Sequence, residues 1–282
     1  MSKYQTKQVK KYGCTVIAVL FTLVYLFPLY WMVITSFKTK EEIFSAVPTF
    51  WPSHFSFDAY ITQFTVHDGI SMFSYLKNSM IIAVGATLIS TVLATFAAYG
   101  LARYAMKRKQ LLILILTVTQ MLPMVMFLAP MLQTFNKLGI TGSYASVILF
   151  DALFSIPMSI IILRPYFTSV PKELEEAAIV DGCNRFNCFY KVILPNAYPG
   201  IFACASFAFM AAWGDLMASM TFLTDGDKLP MTVMMYKSMG RYGVNWNSLM
   251  ATATMVIIPI IVLFLIMRKS LVSGLTSGSV KG

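Results

Sequence analysis

Charge is what this sequence has least of. Only 12% of its 282 residues are Asp, Glu, Lys or Arg, while 57% are hydrophobic. Soluble domains carry about a quarter charged residues, so a membrane protein is the expected class. A nucleotide-binding loop is also missing: GxxxxGK[ST] occurs nowhere, and no glycine-rich turn opens a helix after a strand. No Ser/His/Asp, Cys/His or metal-ligand constellation is visible, so no catalytic residue and no metal site is assigned. The four cysteines, Cys14, Cys183, Cys188 and Cys204, form no CxxC pair, which argues against a disulfide framework or a zinc site. The only histidines, His54 and His67, share one loop and read as solvated. Basic residues form no cluster with stacking aromatics, so nucleic acid is not an expected partner.

What the sequence has is long uncharged runs: Tyr12–Phe37, Asn78–Ala102, Gln110–Asn136, Leu138–Leu163 (holding Asp151), Val192–Thr224 (holding Asp215) and Tyr242–Met267. Each exceeds the roughly 20 residues that cross a bilayer as a helix. The expected fold is an all-α membrane protein with six transmembrane helices. Pro28, Pro123, Pro130, Pro157 and Pro259 fall inside these runs, where neighbouring helices can satisfy the freed carbonyls. The first run follows four lysines but is too long for a signal-peptide core and lacks a small-residue cleavage site, so it reads as a retained anchor.

Orientation follows from Lys and Arg. With the N-terminus inside, the inner segments hold Lys3, Lys7, Lys10, Lys11, Arg103, Lys107, Arg108, Lys109, Arg164, Lys172, Arg185, Lys191, Arg268, Lys269 and Lys281. The outer ones hold the smaller set Lys38, Lys40, Lys77, Lys137, Lys228, Lys237 and Arg241. Both termini and the segment Pro171–Pro195 are therefore expected on the cytoplasmic side. The cluster Arg103–Lys109 reads as a topology anchor at anionic lipid.

Pro171–Pro195, PKELEEAAIVDGCNRFNCFYKVILP, reads as two short helices with a bend. Pro171 suits a first turn, and Glu173, Glu175 and Glu176 put negative charge at the helix's positive end. Gly182 is a natural C-terminal stop and Asn184 a cap for the next helix. Phe186, Phe189, Tyr190 and Ile193 recur as one apolar stripe, and Pro195 marks its limit. A surface helix lying on its own bundle and a knob presented to a partner both fit this pattern.

Glu176-Ala177-Ala178, then Gly182, then Leu194-Pro195 resembles the EAA motif of the membrane subunits of ATP-binding-cassette importers, with Val192 where that motif has isoleucine. The tail GLTSGSVKG and the segment FKTKEEIF after the first helix resemble the smaller permease of the maltose type and related carbohydrate importers, over nearly the whole chain. That resemblance implies a cytoplasmic coupling-helix loop between helices 4 and 5 and ATPase-coupling residues at Glu176, Ala177, Ala178, Asp181, Gly182, Phe186, Phe189, Tyr190, Leu194 and Pro195. The three aromatics would hold this lever either to the ATPase or to the bundle. It implies a bacterial-type inner membrane protein that works with a second homologous permease, two ATPase subunits and an extracellular or periplasmic sugar-binding protein. This chain would bind no cofactor, ATP and Mg belonging to the ATPase subunits.

Three segments follow: residues 1–72 with the N-terminal tail, first helix and outer loop; a permease core at 73–268 containing the coupling loop 168–200; and a small, polar tail at 269–282. Trp213, Asp215, Asn245 and Asn247, and with less support Asp151, are translocation-path candidates, because a carboxylate at membrane depth must face protein, water or a counter-ion. The competing reading of Asp215 is a place near the outer end of a long helix, or a hydrogen bond to a neighbouring helix. A different class of function, a gradient-driven secondary carrier, would use Asp151 and Asp215 as coupling groups; it calls for internal repeats, and none is found. The small residues Ala83, Ala86, Ser90, Ala94, Ala97 and Ala98 predict a close helix–helix contact, and the 20 methionines predict adaptable packing.

Overall fold

The computed structural model describes residues 3–65, 71–240 and 243–279, with side-chain surroundings for residues 12–65, 71–239 and 244–266. His67, Arg241, Tyr242 and Lys281 lie outside the described residues. Helices run through nearly all of it, in the order α1 (Lys3–Ser36), α2 (Lys40–Ile43), α3 (Asp58–Phe64), α4 (Met72–Arg103), α5 (Lys109–Thr119), α6 (Leu128–Lys137), α7 (Tyr144–Ser169), α8 (Lys172–Val180), α9 (Arg185–Cys188), α10 (Leu194–Asn196), α11 (Tyr198–Trp213), α12 (Met217–Phe222), α13 (Met231–Lys237) and α14 (Trp246–Ser279). A two-residue antiparallel pair, Met239–Gly240 with Gly243–Val244, is the one departure into strand among the described residues. Contacts divide the chain into two compact units, Met1–Ser71 with Met235–Ile257, and Met72–Met234 with Ile258–Gly282.

In the first unit α1 presents apolar side chains all round, Leu20, Phe21, Val24 and Tyr25 among them, as a helix in lipid does. The segment after it is held by polar ties. Lys38 is buried, its ammonium donating to the Thr49 carbonyl and lying 4.6 Å above the Trp31 ring. The Glu42 carboxylate accepts from the Thr49 hydroxyl and from the Ser53 backbone N–H at 3.0 Å. The Thr49 hydrogen bond, the largest cause, holds Glu42 below its ordinary value of 4.5.

In the second unit α4, α7 and α11 pack on one another. The small-residue stripe is the reason they can: Ala83, Ala86, Ser90, Ala94 and Ala98 are completely buried, at spacings that keep them on one face. Ala97 is exposed, one step off that face. At Gly200 of α11 a β-carbon would stand 2.4 Å from the Cγ of Tyr166, so the α7–α11 approach depends on its absence.

Four described helices are long and apolar enough to span a membrane, Tyr12–Ser36, Met72–Arg103, Tyr144–Ser169 and Trp246–Ile266. Six result if each of two bent pairs is one span. The expected third run is bent by 92° between Lys109–Thr119 and Met124–Lys137, where Pro123 supplies no N–H to continue the ladder. The fifth is bent by 75° at Ala197, just before Pro199 in the first turn of α11, and its helix stops at Trp213. The fourth is displaced, beginning at Tyr144 after positive-φ turns at Gly139 and Gly142 and continuing through Arg164 to Ser169. The small, polar tail continues α14 as helix to Ser279.

Candidate functional site

The segment after α7 is built from local signals. Pro171 stands just outside α8, with ψ of 139°, and not within its first turn. At the far end Gly182 has φ of +88°, Cys183 N–H reaches Ala178 O at 2.9 Å, and Gly182 N–H reaches Ile179 O at 3.0 Å. This is the Schellman closure, and a β-carbon is disfavoured at that φ. The Asn184 side chain then accepts from Asn187 N–H at 2.7 Å and starts α9.

Beyond Cys188 the helix passes through a π turn at Phe189–Ile193 and resumes as α10 through Asn196, so Pro195 lies within helix and does not end it. The extra residue of the π turn breaks the expected single apolar stripe. Phe189 and Ile193 are buried, while Phe186 and Tyr190 are exposed. Phe189 packs on Tyr99 at 4.7 Å between ring centroids and on Phe96 at 5.6 Å, which ties it to α4. Phe186 and Tyr190 pair with each other at 4.6 Å on the open side. Of the other coupling candidates, Ala178 is buried and Leu194 half-buried, whereas Glu176, Ala177, Asp181, Gly182 and Pro195 are exposed.

Sequence reasoning missed the groups that fasten this element. The Arg103 side chain, at the end of α4, is only 6% exposed and lies against protein, not at a lipid surface. Its Nε stands 3.3 Å from Glu175 Oε2, an ionic contact and not a directed hydrogen bond, while its Nη2 donates to Val170 O at 2.9 Å. The Tyr99 hydroxyl donates to the other Glu175 oxygen at 3.2 Å. The spacing of Tyr99 and Arg103, one helical turn apart, was the available signal; nothing local links them to Glu175. Beside them a groove of about 290 Å³ is lined by Arg103, Lys172, Glu175, Glu176, Ile179 and Arg185 among others.

The path candidates separate. Asp151, on α7, is 4% exposed, and its Oδ2 has no hydrogen-bond partner. Asp215 is within electrostatic range of it. The Asp215 carboxylate accepts from Ala218 N–H at 3.1 Å and Ser219 N–H at 2.9 Å, capping α12. Trp213 is buried and stacks on Phe209 at 5.5 Å. In the other unit, Asn247 is buried and donates to the Ser36 and Lys38 carbonyls. Asn245 and Asn247 line a polar cleft of about 360 Å³ with Lys38, Glu41 and Asp58. Among the described residues no group of three or more His, Cys, Asp or Glu could hold a metal ion.

Known proteins match this arrangement over most of its length. The chain is 32% identical to the diacetylchitobiose uptake system permease protein DasC of Streptomyces coelicolor, covering 95% of this chain and 96% of that one. It is 30% identical to the trehalose/maltose transport system permease protein MalG of Thermococcus litoralis, covering 94% and 95%. In fold it is similar to a solved bacterial ABC transporter involved in import of the acidic polysaccharide alginate, with a TM-score of 0.78 at 20% identity over 96% of this chain and 99% of that one. A family model matches residues 90–277, and the gradient-driven carrier reading is left without support. The chain belongs to the family of binding-protein-dependent transport system inner membrane components.

Proposed function

We propose that this chain is the transmembrane permease subunit of a binding-protein-dependent ABC importer for sugars, forming half of the translocation path. The observation that carries this reading is the two-sided coupling element. Its inner side, Ala178, Phe189 and Ile193, is buried in the α4–α7–α11 bundle, while its outer side offers Glu176, Asp181, Gly182, Phe186 and Tyr190 to a partner. The names of the relatives, uptake systems for diacetylchitobiose and for trehalose and maltose, support a sugar as cargo. ATP and Mg would be held by two separate ATPase subunits on the cytoplasmic side, a second homologous permease would complete the path, and an extracellular or periplasmic sugar-binding protein would deliver the substrate.

In this reading the closing ATPase pair pushes the exposed face of α8 and α9, and the bundle alternates between inward- and outward-facing states. Such alternation needs two discrete arrangements and a stiff lever between them and the motor. The test uses the complex reconstituted in lipid and assayed with maltose, trehalose and diacetylchitobiose in parallel. Gly182→Leu forces a side chain onto φ of +88°, and Glu176→Lys reverses an exposed charge. Both should lower ATPase association and uptake by at least about tenfold while membrane insertion is unchanged. Normal association and uptake in both variants would sink the coupling assignment.

A further inference from the structure

The coupling element has a mechanical problem that its apolar packing does not solve. Within α8 only Ala178 is buried, and Leu174, Ile179 and Val180 face outward. One methyl group cannot hold a helix against a push. We infer that Arg103, with Glu175 and Tyr99, is a positioning clamp that makes α8 move as one body with α4 and α7. This inference rests on the permease reading and assigns roles that the EAA pattern does not.

The geometry is that of a three-way bolt. Arg103 is the last residue of α4, and its guanidinium reaches both the carbonyl of Val170, where α7 ends, and the carboxylate of Glu175, in the first turn of α8. A cation at the C-terminal end of α7 and an anion at the N-terminal end of α8 each sit where the helix dipole favours them. The arrangement is therefore favourable pairwise, and it links all three helices through one side chain. Tyr99 adds a second link from α4: its hydroxyl holds the other Glu175 oxygen while its ring packs on Phe189 and on Phe167. Arg103 and Glu175 are largely shielded from water, which makes the pair less sensitive to salt screening than a surface ion pair. An ATPase push on Glu176 is adjacent in sequence to the clamped Glu175, so the load reaches α4 and α7 with no flexible residue between.

The clamp is tested in the full complex in lipid with Arg103→Gln, Glu175→Gln and the double variant, reading ATPase association, ATP hydrolysis, and maltose, trehalose and diacetylchitobiose uptake. The expected result is retained association and continued hydrolysis, with uptake per ATP lowered by roughly fivefold in each single variant. Because the two groups act as a unit, the double variant should be no worse than the poorer single. Unchanged uptake per ATP in both singles, or losses that multiply in the double, would overturn the inference. A second readout does not depend on transport. Hydrogen exchange of the complete chain in lipid should speed up over Lys172–Val180 in each single variant, and unaltered exchange there would equally overturn it. If wild type takes up no sugar, the permease reading fails while the exchange comparison still decides the clamp.

Discussion

Gly200 leaves no room for a β-carbon beside the Tyr166 ring. The side-chain atoms in the way, Cβ and the ring atoms Cγ and Cδ2, are those nearest the α7 backbone, so the tyrosine cannot simply swing its far end aside. Gly200→Ala should therefore destabilise the bundle by about 1–3 kcal/mol, the usual cost of overpacking. A thermal melt of the purified chain in detergent checks this, and an unchanged midpoint would show that α7 and α11 can separate freely. Glycine in the middle of a helical run is an ordinary feature of membrane sequences, which is why this contact was not legible beforehand. Gly182 was legible, because its function is set by residues within five positions of it, Ala178 to Cys183.

The same distinction runs through the elements. In the coupling segment the caps at Gly182 and Asn184 follow from local chemistry and were readable from residue types alone. The inward aim of Phe189 and the Arg103–Glu175 contact depend on a partner about 70 or more positions away, and no local pattern encodes them. The segment around α2 is another element held by polar ties, and it carries a pH dependence. Glu42 is held below its ordinary 4.5, chiefly by the Thr49 hydroxyl, so its ionised form favours the folded loop. That contribution is fully present above pH 4.5 and disappears as pH falls through the lowered value. The Ser53 amide should thus exchange more slowly in wild type than in Glu42→Gln at pH 6, after correction for intrinsic rates. The difference should vanish in strong acid; a difference that persists there would place the protection elsewhere.

For the whole molecule, hydropathy found the apolar stretches but misjudged where the fourth and fifth begin and end and where the third and fifth remain straight. Counting charge-free residues cannot see that Pro123 and Pro199 withhold backbone N–H groups, nor that Arg164 is tolerated within α7. The orientation inferred from Lys and Arg predicts that the coupling element faces the cytoplasm. A cysteine replacing exposed Asp181 should react with an impermeant maleimide only after the cells are permeabilised. Labelling in intact cells would invert the topology and with it the access of any ATPase. The family match covers residues 90–277, so α1 and the segment around α2 and α3 lie before it.

The π turn at Phe189–Ile193 gives chain length an unusual meaning at this point. Each residue of an α-helix turns the chain by about 100°. One residue more or less between Cys188 and Leu194 would therefore do little to the reach of the segment but would rotate everything before it against everything after. Phe186 and Tyr190 would swing toward the bundle, and Phe189 or Ile193 would be carried out of it. Substitutions in this stretch are changes of surface, whereas a single insertion or deletion is a change of angle, and a neutral length variant is not expected here.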